Sequence, residues 1–293
     1  MKTLAAGCAA VLSAGGILVA AQDPASVFAY DRRRPAEVVA TGTELRGAAV
    51  VTDLTYRTLT GARRAAYLVT PAKAPAGPQP AVLFVHWYEP PNPTSSRKQF
   101  LPDAIELAAD GVVSLLIDTM WSNPDWFTSR DPESDLGHSI EQVKELRRAL
   151  DVLASRPGVD PSRVIYVGHD FGAMYGAIVA GLDAARLKGF VFMAGTRSFS
   201  DWFLLWPKRD DAAKAAIVSR LAPLDPTSHL ARAGGLPMLF QFATRDKFVT
   251  KAAADALVAS AAGPTDVRWY DAEHGLNADA TRDRLAWLRA RFR

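Results

Sequence analysis

The chain has a single cysteine, Cys8, among its 293 residues. Cys8 lies in a stretch of Ala, Gly, Val and Leu that follows Met1 and Lys2 and predicts a signal peptide over residues 1–21. A membrane anchor and a frayed cytosolic terminus are the alternatives, although the stretch is short and glycine-rich for a membrane span. Cleavage would leave no cysteine, which excludes disulfides, a thiol nucleophile and cysteine-ligated metal sites from the mature chain.

The chain also lacks an excess of charge of one sign. Its 34 lysine and arginine residues nearly balance 31 aspartate and glutamate residues, for a net charge of +3. No basic run is interleaved with aromatic residues, so we expect no nucleic-acid partner. We expect a small-molecule substrate, no cofactor, no metal, and no stable membrane insertion after signal cleavage. A secreted or periplasmic location follows from the signal peptide, and the oligomeric state is left open.

The remaining residues predict one α/β domain over residues 46–293, preceded by an irregular polar leader over residues 22–45. Strands are predicted at residues 47–56, 65–70, 81–86, 112–118, 164–167, 189–193, 237–243 and 267–271. Helices are predicted at residues 101–109, 139–156, 171–182, 251–261 and 280–293. This order indicates a mostly parallel eight-stranded sheet with helices on both faces and its site at the carboxyl ends of the strands. Residues 196–235 predict a short lid insertion.

The sequence Gly168-His169-Asp170-Phe171-Gly172 stands between a predicted strand and a predicted helix. The central residue of a nucleophile elbow is held in a strained conformation that lifts its side chain above the sheet, which requires small residues on both sides. Gly168 and Gly172 meet this requirement, and Asp170 occupies the position of the nucleophile. The alternative is an ordinary turn in which the glycines serve packing and the aspartate caps the helix.

A carboxylate and a histidine follow later strands. Asp246 comes just after the strand predicted at 237–243, and His274 lies in the loop after the last strand. The order nucleophile, acid, histidine is the one that an elbow of this type requires. The carboxylate would hold the imidazole in one tautomer and stabilise its protonated form. Asp271 and Glu273 are the alternatives to Asp246 as the partner of His274.

An anionic intermediate needs hydrogen-bond donors. The backbone N–H of Phe171 is one by its position, and the loop after the strand at 81–86 makes Trp87 the best candidate for the second. Simple pocket lining is the alternative for Trp87, and His86 and His169 are expected to support loops. Further aromatic residues in loops at the same end of the sheet are expected to line an apolar pocket, with core packing as the alternative. These are Tyr88, Trp121, Trp126, Trp202 and Trp206.

These motifs resemble the α/β-hydrolase superfamily over residues 47–293. The short lid and the layout are similar to the dienelactone-hydrolase-like branch. The elbow carrying Asp170 is instead similar to that of epoxide hydrolases and haloalkane dehalogenases, whose nucleophile is aspartate. Those two families usually carry tryptophan where this chain has Phe171, a His-Gly-x-Pro turn in place of residues 86–89, and a larger cap. Residues 196–235 also contain no tyrosine to activate an epoxide oxygen.

The resemblance implies a triad of Asp170, His274 and Asp246. A carboxylate is already ionised at neutral pH, and its attack on a saturated carbon of an epoxide or haloalkane gives a stable alkyl ester. Water activated by His274 would then hydrolyse that ester. Attack on a carboxylic ester would instead give a reactive anhydride. A carboxylic-ester or lactone hydrolase, and a non-catalytic binding protein that has lost a serine, are the alternatives.

Overall fold

Residues 24–73 and 75–292 are described by a computed structural model. The predicted signal peptide lies outside these residues, so the signal peptide and secretion stay predictions. The strands are β1 (Val39–Arg46), β2 (Ala49–Arg57), β3 (Arg63–Pro71), β4 (Gln79–Val85), β5 (Val113–Ile117), β6 (Val159–His169), β7 (Gly189–Met193), β8 (Met238–Ala243) and β9 (Thr265–Tyr270). They form one sheet in the order β1-β2-β3-β5-β4-β6-β7-β8-β9, which is antiparallel from β1 to β5 and parallel from β5 to β9.

Helices cover both faces of this sheet. They are α1 (Leu101–Ala108), α2 (Trp126–Ser129), α3 (Asp135–Ala154), α4 (Phe171–Asp183), α5 (Ser200–Phe203), α6 (Asp211–Leu221), α7 (Pro226–Leu230), α8 (Lys251–Ala259) and α9 (Ala278–Phe292). Leu107 of α1 and Leu288 of α9 belong to the hydrophobic core on one face. Leu146 of α3, Ile178 of α4 and Leu257 of α8 belong to the core on the other face. None of the helices in the described ranges is long and apolar enough to cross a lipid bilayer.

The central strands bring the ends of distant segments to one edge. Strands β4, β5, β7 and β8 are buried along their whole length, as expected for parallel strands covered on both faces. Val85 of β4 pairs with Gly168 of β6, and Ala243 of β8 pairs with Tyr270 of β9. The loops that follow β4, β6, β8 and β9 therefore meet at the carboxyl edge of the sheet.

The prediction of an irregular leader over residues 22–45 and of eight strands is wrong at the amino-terminal edge. Strand β1 lies within the predicted leader and pairs antiparallel with β2. Every residue of β1 is exposed. Because neither face of β1 packs against the core, its sequence does not need alternating apolar and polar residues. That alternation is the pattern that predicts a half-buried strand.

The segment before β1 is also attached to the domain. The side chain of Phe28 is buried in the core, and its carbonyl accepts a hydrogen bond from the Arg147 guanidinium at 2.7 Å. The Tyr30 hydroxyl donates to Asp151 Oδ2 at 2.7 Å. Both partners lie on α3, so the described part of the predicted leader packs against this helix.

The predicted lid, residues 196–235, contains the short helices α5, α6 and α7. Arg130 fixes the chain just after α5, because its guanidinium donates to the Phe203 carbonyl at 2.6 Å and to the Trp206 carbonyl. Arg130 also pairs with Asp135 at 3.2 Å, and both side chains are buried. The start of this segment is therefore held by a buried ion pair.

Candidate active site

Asp170 stands at the turn between β6 and α4, with φ = 57° and ψ = −121°. A positive φ is uncommon and strained for a residue with a Cβ. The turn is held by hydrogen bonds, since the N–H groups of Ala173 and Met174 both donate to the Asp170 carbonyl at 3.0 Å, and the Asp170 N–H donates to the Met193 carbonyl at 2.8 Å. Asp170 therefore stands at a strained, hydrogen-bonded turn at the carboxyl edge of the sheet, which is the backbone geometry expected of a nucleophile elbow.

Gly172 leaves no room for a side chain, because a Cβ there would overlap the carbonyl oxygens of Val85 and His86. We expect Gly172→Ala to lower the free energy of unfolding by roughly 1–3 kcal/mol, since backbone must move to accept the methyl group. Gly137 lies in α3 with open space at its Cβ position. Gly137→Ala is therefore the control and should raise this free energy by about 0.5–1 kcal/mol. Urea unfolding checks both values, and equal stability of the two variants would contradict tight packing at the elbow.

His274 is held by the carboxylate of Asp246, both of whose oxygens accept hydrogen bonds. The Nδ1–H of His274 donates to Asp246 Oδ2 at 2.8 Å. Asp246 Oδ1 accepts the backbone N–H groups of Phe248 at 2.8 Å and Val249 at 3.1 Å. Because both of its oxygens are fixed, Asp246 sets the orientation and tautomer of the imidazole.

The alternative partners of His274 lie elsewhere. The side chain of Asp271 is 83% exposed and pairs with Arg245. Glu273 is exposed as well. The carboxylate that contacts the Nδ1 side of His274 is therefore that of Asp246.

The two carboxylate oxygens of Asp170 have different partners. Oδ2 accepts the backbone N–H of Tyr88 at 2.7 Å, and the Phe171 N–H interacts with the same carboxyl group. Oδ1 lies 3.8 Å from His274 Nε2. Backbone N–H groups at these two places form the oxyanion hole of such an elbow. In this chain the N–H groups at these two places contact the carboxyl group of Asp170 itself.

The charges of the site are strongly coupled. Burial raises the pKa of Asp170, while the nearby His274 imidazole and the backbone N–H groups of Tyr88 and Phe171 oppose that shift. Burial alone would lower the pKa of His274, but the Asp170 and Asp246 carboxylates outweigh it and raise that pKa to about 10. Burial alone would raise the pKa of Asp246, but His274 outweighs it and lowers that pKa. At neutral pH the imidazole is therefore protonated between two carboxylates.

This coupling predicts how stability depends on pH. The pKa of His274 rises from an ordinary 6.5 to about 10 on folding. A raised folded pKa stabilises the protein fully below the unfolded pKa, and this contribution is lost as pH rises through the folded pKa. The stability advantage of wild type over His274→Gln should therefore be largest below about pH 6.5 and shrink as pH approaches about 10. Urea unfolding of both proteins across this pH range measures the difference in their free energies of unfolding. A stability advantage of wild type that grows with pH would contradict a protonated His274.

The prediction that the Trp87 N–H points to the Asp170 side chain is wrong by one residue. The Trp87 N–H donates to Gln99 Oε1 at 2.8 Å and is not available to Asp170. The next N–H, that of Tyr88, makes this contact instead. The physical reason is Gln99, whose side-chain oxygen holds the Trp87 amide away from the elbow.

Gln99 begins a chain of hydrogen bonds that sequence reasoning missed. Its Nε2 donates to His169 Nδ1 at 2.6 Å, and His169 Nε2–H donates to the His274 carbonyl at 3.0 Å. Burial lowers the pKa of His169 well below its ordinary value, so this imidazole stays neutral. These hydrogen bonds connect the loop that carries Tyr88 to the loop that carries His274. No local pattern reveals Gln99, because its partners are 12 and 70 residues away in sequence.

Asp170 and His274 both line a cavity of about 250 Å³. Its other lining residues are largely apolar or aromatic. They are Tyr88, Glu89, Pro90, Phe127, Phe171, Trp202, Leu205 and Phe248. Tyr88 and Trp202 are thus predicted pocket residues that the structure places in the wall. Within residues 24–73 and 75–292, no group of three or more His, Cys, Asp or Glu side chains is arranged to hold a metal ion.

Three predicted pocket residues do not line this cavity. Trp121 is fully buried and stacks on Tyr175, with 5.2 Å between ring centroids. Trp126 packs edge-on against Phe171 at 5.0 Å, outside the lining of the cavity. Trp206 lies exposed at the surface. The sequence correctly places all three residues after strands at the carboxyl edge of the sheet. Whether each side chain lines the cavity, lies in the core or is exposed is set by tertiary packing.

Comparison with known proteins identifies the family. Residues 129–289 match a family model described as the dienelactone hydrolase family. The match covers more than half of the chain and includes Asp170, Asp246 and His274. The chain belongs to the dienelactone hydrolase family. This family member is a hydrolase with the α/β-hydrolase fold, as the resemblance in its sequence implied.

Solved structures of esterases share the fold of this dienelactone hydrolase family member. The acetyl xylan esterase from Paenibacillus sp. R4 superposes with a TM-score of 0.72 at 18% identity, over 91% of this chain and 92% of the esterase. Acetyl xylan esterase 1 from a Thermoanaerobacterium species gives a TM-score of 0.72 at 15% identity, over 92% of each chain. At these identities the likeness shows the fold alone.

A curated relative is the polyketide transferase ATR5 of Stachybotrys chlorohalonatus. The family member is 27% identical to it over 190 residues, which are 64% of this chain and 55% of the relative. The alignment therefore spans little more than half the length of that relative.

Proposed function

We propose that this hydrolase acts through a covalent ester on Asp170, formed with a small molecule that offers an electrophilic saturated carbon, such as an epoxide or a haloalkane. The observation that carries the proposal is the hydrogen bond from the Tyr88 N–H to Asp170 Oδ2. An ester substrate that used the oxyanion hole would have to displace the buried Asp170 carboxylate from it. An oxyanion that forms on Asp170 itself already lies beside these donors.

In the first step Asp170 Oδ1 attacks the saturated carbon, and the bond to the leaving atom breaks with its electron pair going to that atom. An epoxide oxygen leaves as an alkoxide that takes the proton of the His274 imidazolium. A halide leaves as an anion, and His274 then releases its proton to solvent. That release is favoured because esterification removes the Asp170 charge, one of the two that raise the pKa of His274.

In the second step neutral His274 takes a proton from a water molecule that attacks Cγ of the Asp170 ester. The negative charge develops on Oδ2, next to the Tyr88 and Phe171 N–H groups. Collapse breaks the bond between Cγ and the ester oxygen, and the departing alkoxide takes the proton back from His274. Asp246 stabilises the imidazolium during both proton transfers. The carboxylic acid that remains contains one oxygen atom from water, and it gives its proton to His274, which restores the resting pair of Asp170 carboxylate and His274 imidazolium.

The cavity limits the reacting part of the substrate to a small apolar group. Its volume of about 250 Å³ lies below the roughly 300–1,000 Å³ of common ligand pockets. The Tyr88 hydroxyl lines this region but donates to the Pro124 carbonyl at 2.6 Å. His274 is therefore the proton donor that the geometry offers to a leaving oxygen.

Hydrolysis of a small carboxylic ester or lactone is the second candidate. Membership of the dienelactone hydrolase family favours it. In that reaction Asp170 would act as the base that deprotonates water, or would form a short-lived anhydride with the acyl group.

A substrate panel separates the two candidates. We would incubate the full chain and Asp170→Asn with 1,2-epoxybutane, 1-bromobutane, p-nitrophenyl acetate and dihydrocoumarin. Turnover of the epoxide or the bromide that disappears in Asp170→Asn supports the proposed mechanism. Turnover confined to the two esters supports the second candidate, and no turnover of any of the four compounds contradicts both.

A further inference from the structure

The mouth of the cavity is apolar and open to solvent. Leu205 and Phe248 both line the cavity, and they are 54% and 50% exposed. Trp206, next to Leu205 in the chain, is 48% exposed. These three residues, named here the apolar rim, are three of the eight large hydrophobic side chains exposed in the described residues. Two of the eight therefore lie beside the reaction centre, and Trp206 is next to one of them in the chain.

The backbone of the apolar rim is held in place by hydrogen bonds. Arg130 donates to the backbone carbonyls of Phe203 and Trp206, which flank Leu205 on both sides. The N–H of Phe248 donates to Asp246, so the rim residue on the opposite segment is tied to the carboxylate that holds His274. Apolar side chains kept in solvent by such contacts indicate a binding surface.

The surfaces that adjoin the apolar rim differ in polarity. Towards Asp170 the surface continues over the aromatic side chains of Phe171 and Trp202. Phe248 also lines a second groove, together with the charged side chains of Arg245, Lys247 and Glu273. A hydrocarbon chain leaving the cavity is therefore favoured across Leu205 and Trp206 and disfavoured across the charged groove.

We propose that the substrate of this enzyme carries an apolar chain that extends beyond the cavity and lies across the apolar rim. This inference rests on the proposed function for the position of the reacting carbon beside Asp170. Burial of a methylene group contributes about 0.8 kcal/mol, which corresponds to roughly a fourfold gain in affinity. Because a rim covers only one side of the chain, each added methylene should increase affinity by about two- to four-fold.

Binding of inert ligands tests the inference without requiring any reaction. The dissociation constants of n-alkanols from butanol to decanol would be measured by calorimetry with the full chain, and kcat/KM would be measured for 1,2-epoxyalkanes of the same lengths. Affinity should rise with length in wild type. The rise should be lost in the double variant Leu205→Ser, Phe248→Ser. It should be kept in Leu45→Ser, because Leu45 is an exposed leucine of β1 at the far edge of the sheet.

The outcomes separate the two proposals. Length-dependent alkanol binding that needs the rim, with no turnover of an epoxide or a haloalkane, supports the rim and contradicts the proposed chemistry. Affinity that does not change with length, or a length dependence that survives in the double variant, overturns the rim. Length-independent binding combined with adsorption to phosphatidylcholine vesicles would overturn it in favour of a membrane-contacting surface.

Discussion

Replacing Asp170 by asparagine is expected to lower kcat/KM for the epoxide or haloalkane substrate by roughly 10⁴- to 10⁶-fold. An amide has the shape of the carboxylate and still accepts the Tyr88 N–H, but it lacks the charge that attacks carbon. Because burial raises the pKa of Asp170, the buried charge is unfavourable for folding, and Asp170→Asn should be at least as stable as wild type. Steady-state kinetics together with thermal unfolding measure both effects.

The matched control is Asp271→Asn. Asp271 lies three residues before His274 in the chain and is exposed, so its replacement should change kcat/KM by less than about twofold. Activity of Asp170→Asn within tenfold of wild type would mean that the nucleophile lies elsewhere. A large loss in Asp271→Asn would mean that the carboxylate supporting His274 has been assigned wrongly.

Replacing His274 by glutamine is expected to stop turnover while leaving the first chemical step. Asp170 needs no base to attack carbon, but its ester needs His274 to activate water. The alkyl-enzyme should therefore accumulate to nearly one equivalent, and the Asp170 peptide should gain the mass of the alkyl group. A haloalkane is the better probe, because its leaving group needs no proton from His274. Mass spectrometry of the digested protein detects the adduct.

The double variant Asp170→Asn, His274→Gln is the control for this trapping experiment and should carry no adduct. An adduct on another residue would point to nonspecific alkylation. Absence of any adduct in His274→Gln, with a haloalkane that wild type turns over, would show that Asp170 does not form a covalent ester.

The elbow and its partners could be predicted because local sequence marks them. Gly168 and Gly172 are required by backbone contacts within a few residues of Asp170 or with β4. Asp246 follows β8, whose apolar run is continuous because this parallel strand is buried on both faces. His274 follows β9, the edge strand of the sheet, which is only partly buried. The order of these strands then places the three side chains at one edge.

The parts that sequence missed depend on contacts between distant segments. Whether Trp87 or Tyr88 presents its N–H to Asp170 is decided by Gln99, and Gln99 is held by His169. Strand β1 is exposed along its length, so no hydrophobic period identifies it. Phe127 lines the cavity whereas Trp121 is buried in the core, although both lie in the same predicted loop. Each of these outcomes is set by tertiary packing rather than by residue type.

The position of one oxygen atom tests the role of Asp170 most directly. Excess enzyme would complete a single turnover of 1,2-epoxybutane, or of 1-bromobutane if that is the compound turned over, in water labelled with oxygen-18. The label would then be sought in the product and in the Asp170 peptide. A covalent ester hydrolysed at Cγ predicts labelled Asp170 and an unlabelled first-turnover product. Label in the product with none in Asp170 would show direct attack of water on the substrate and would contradict the proposed mechanism.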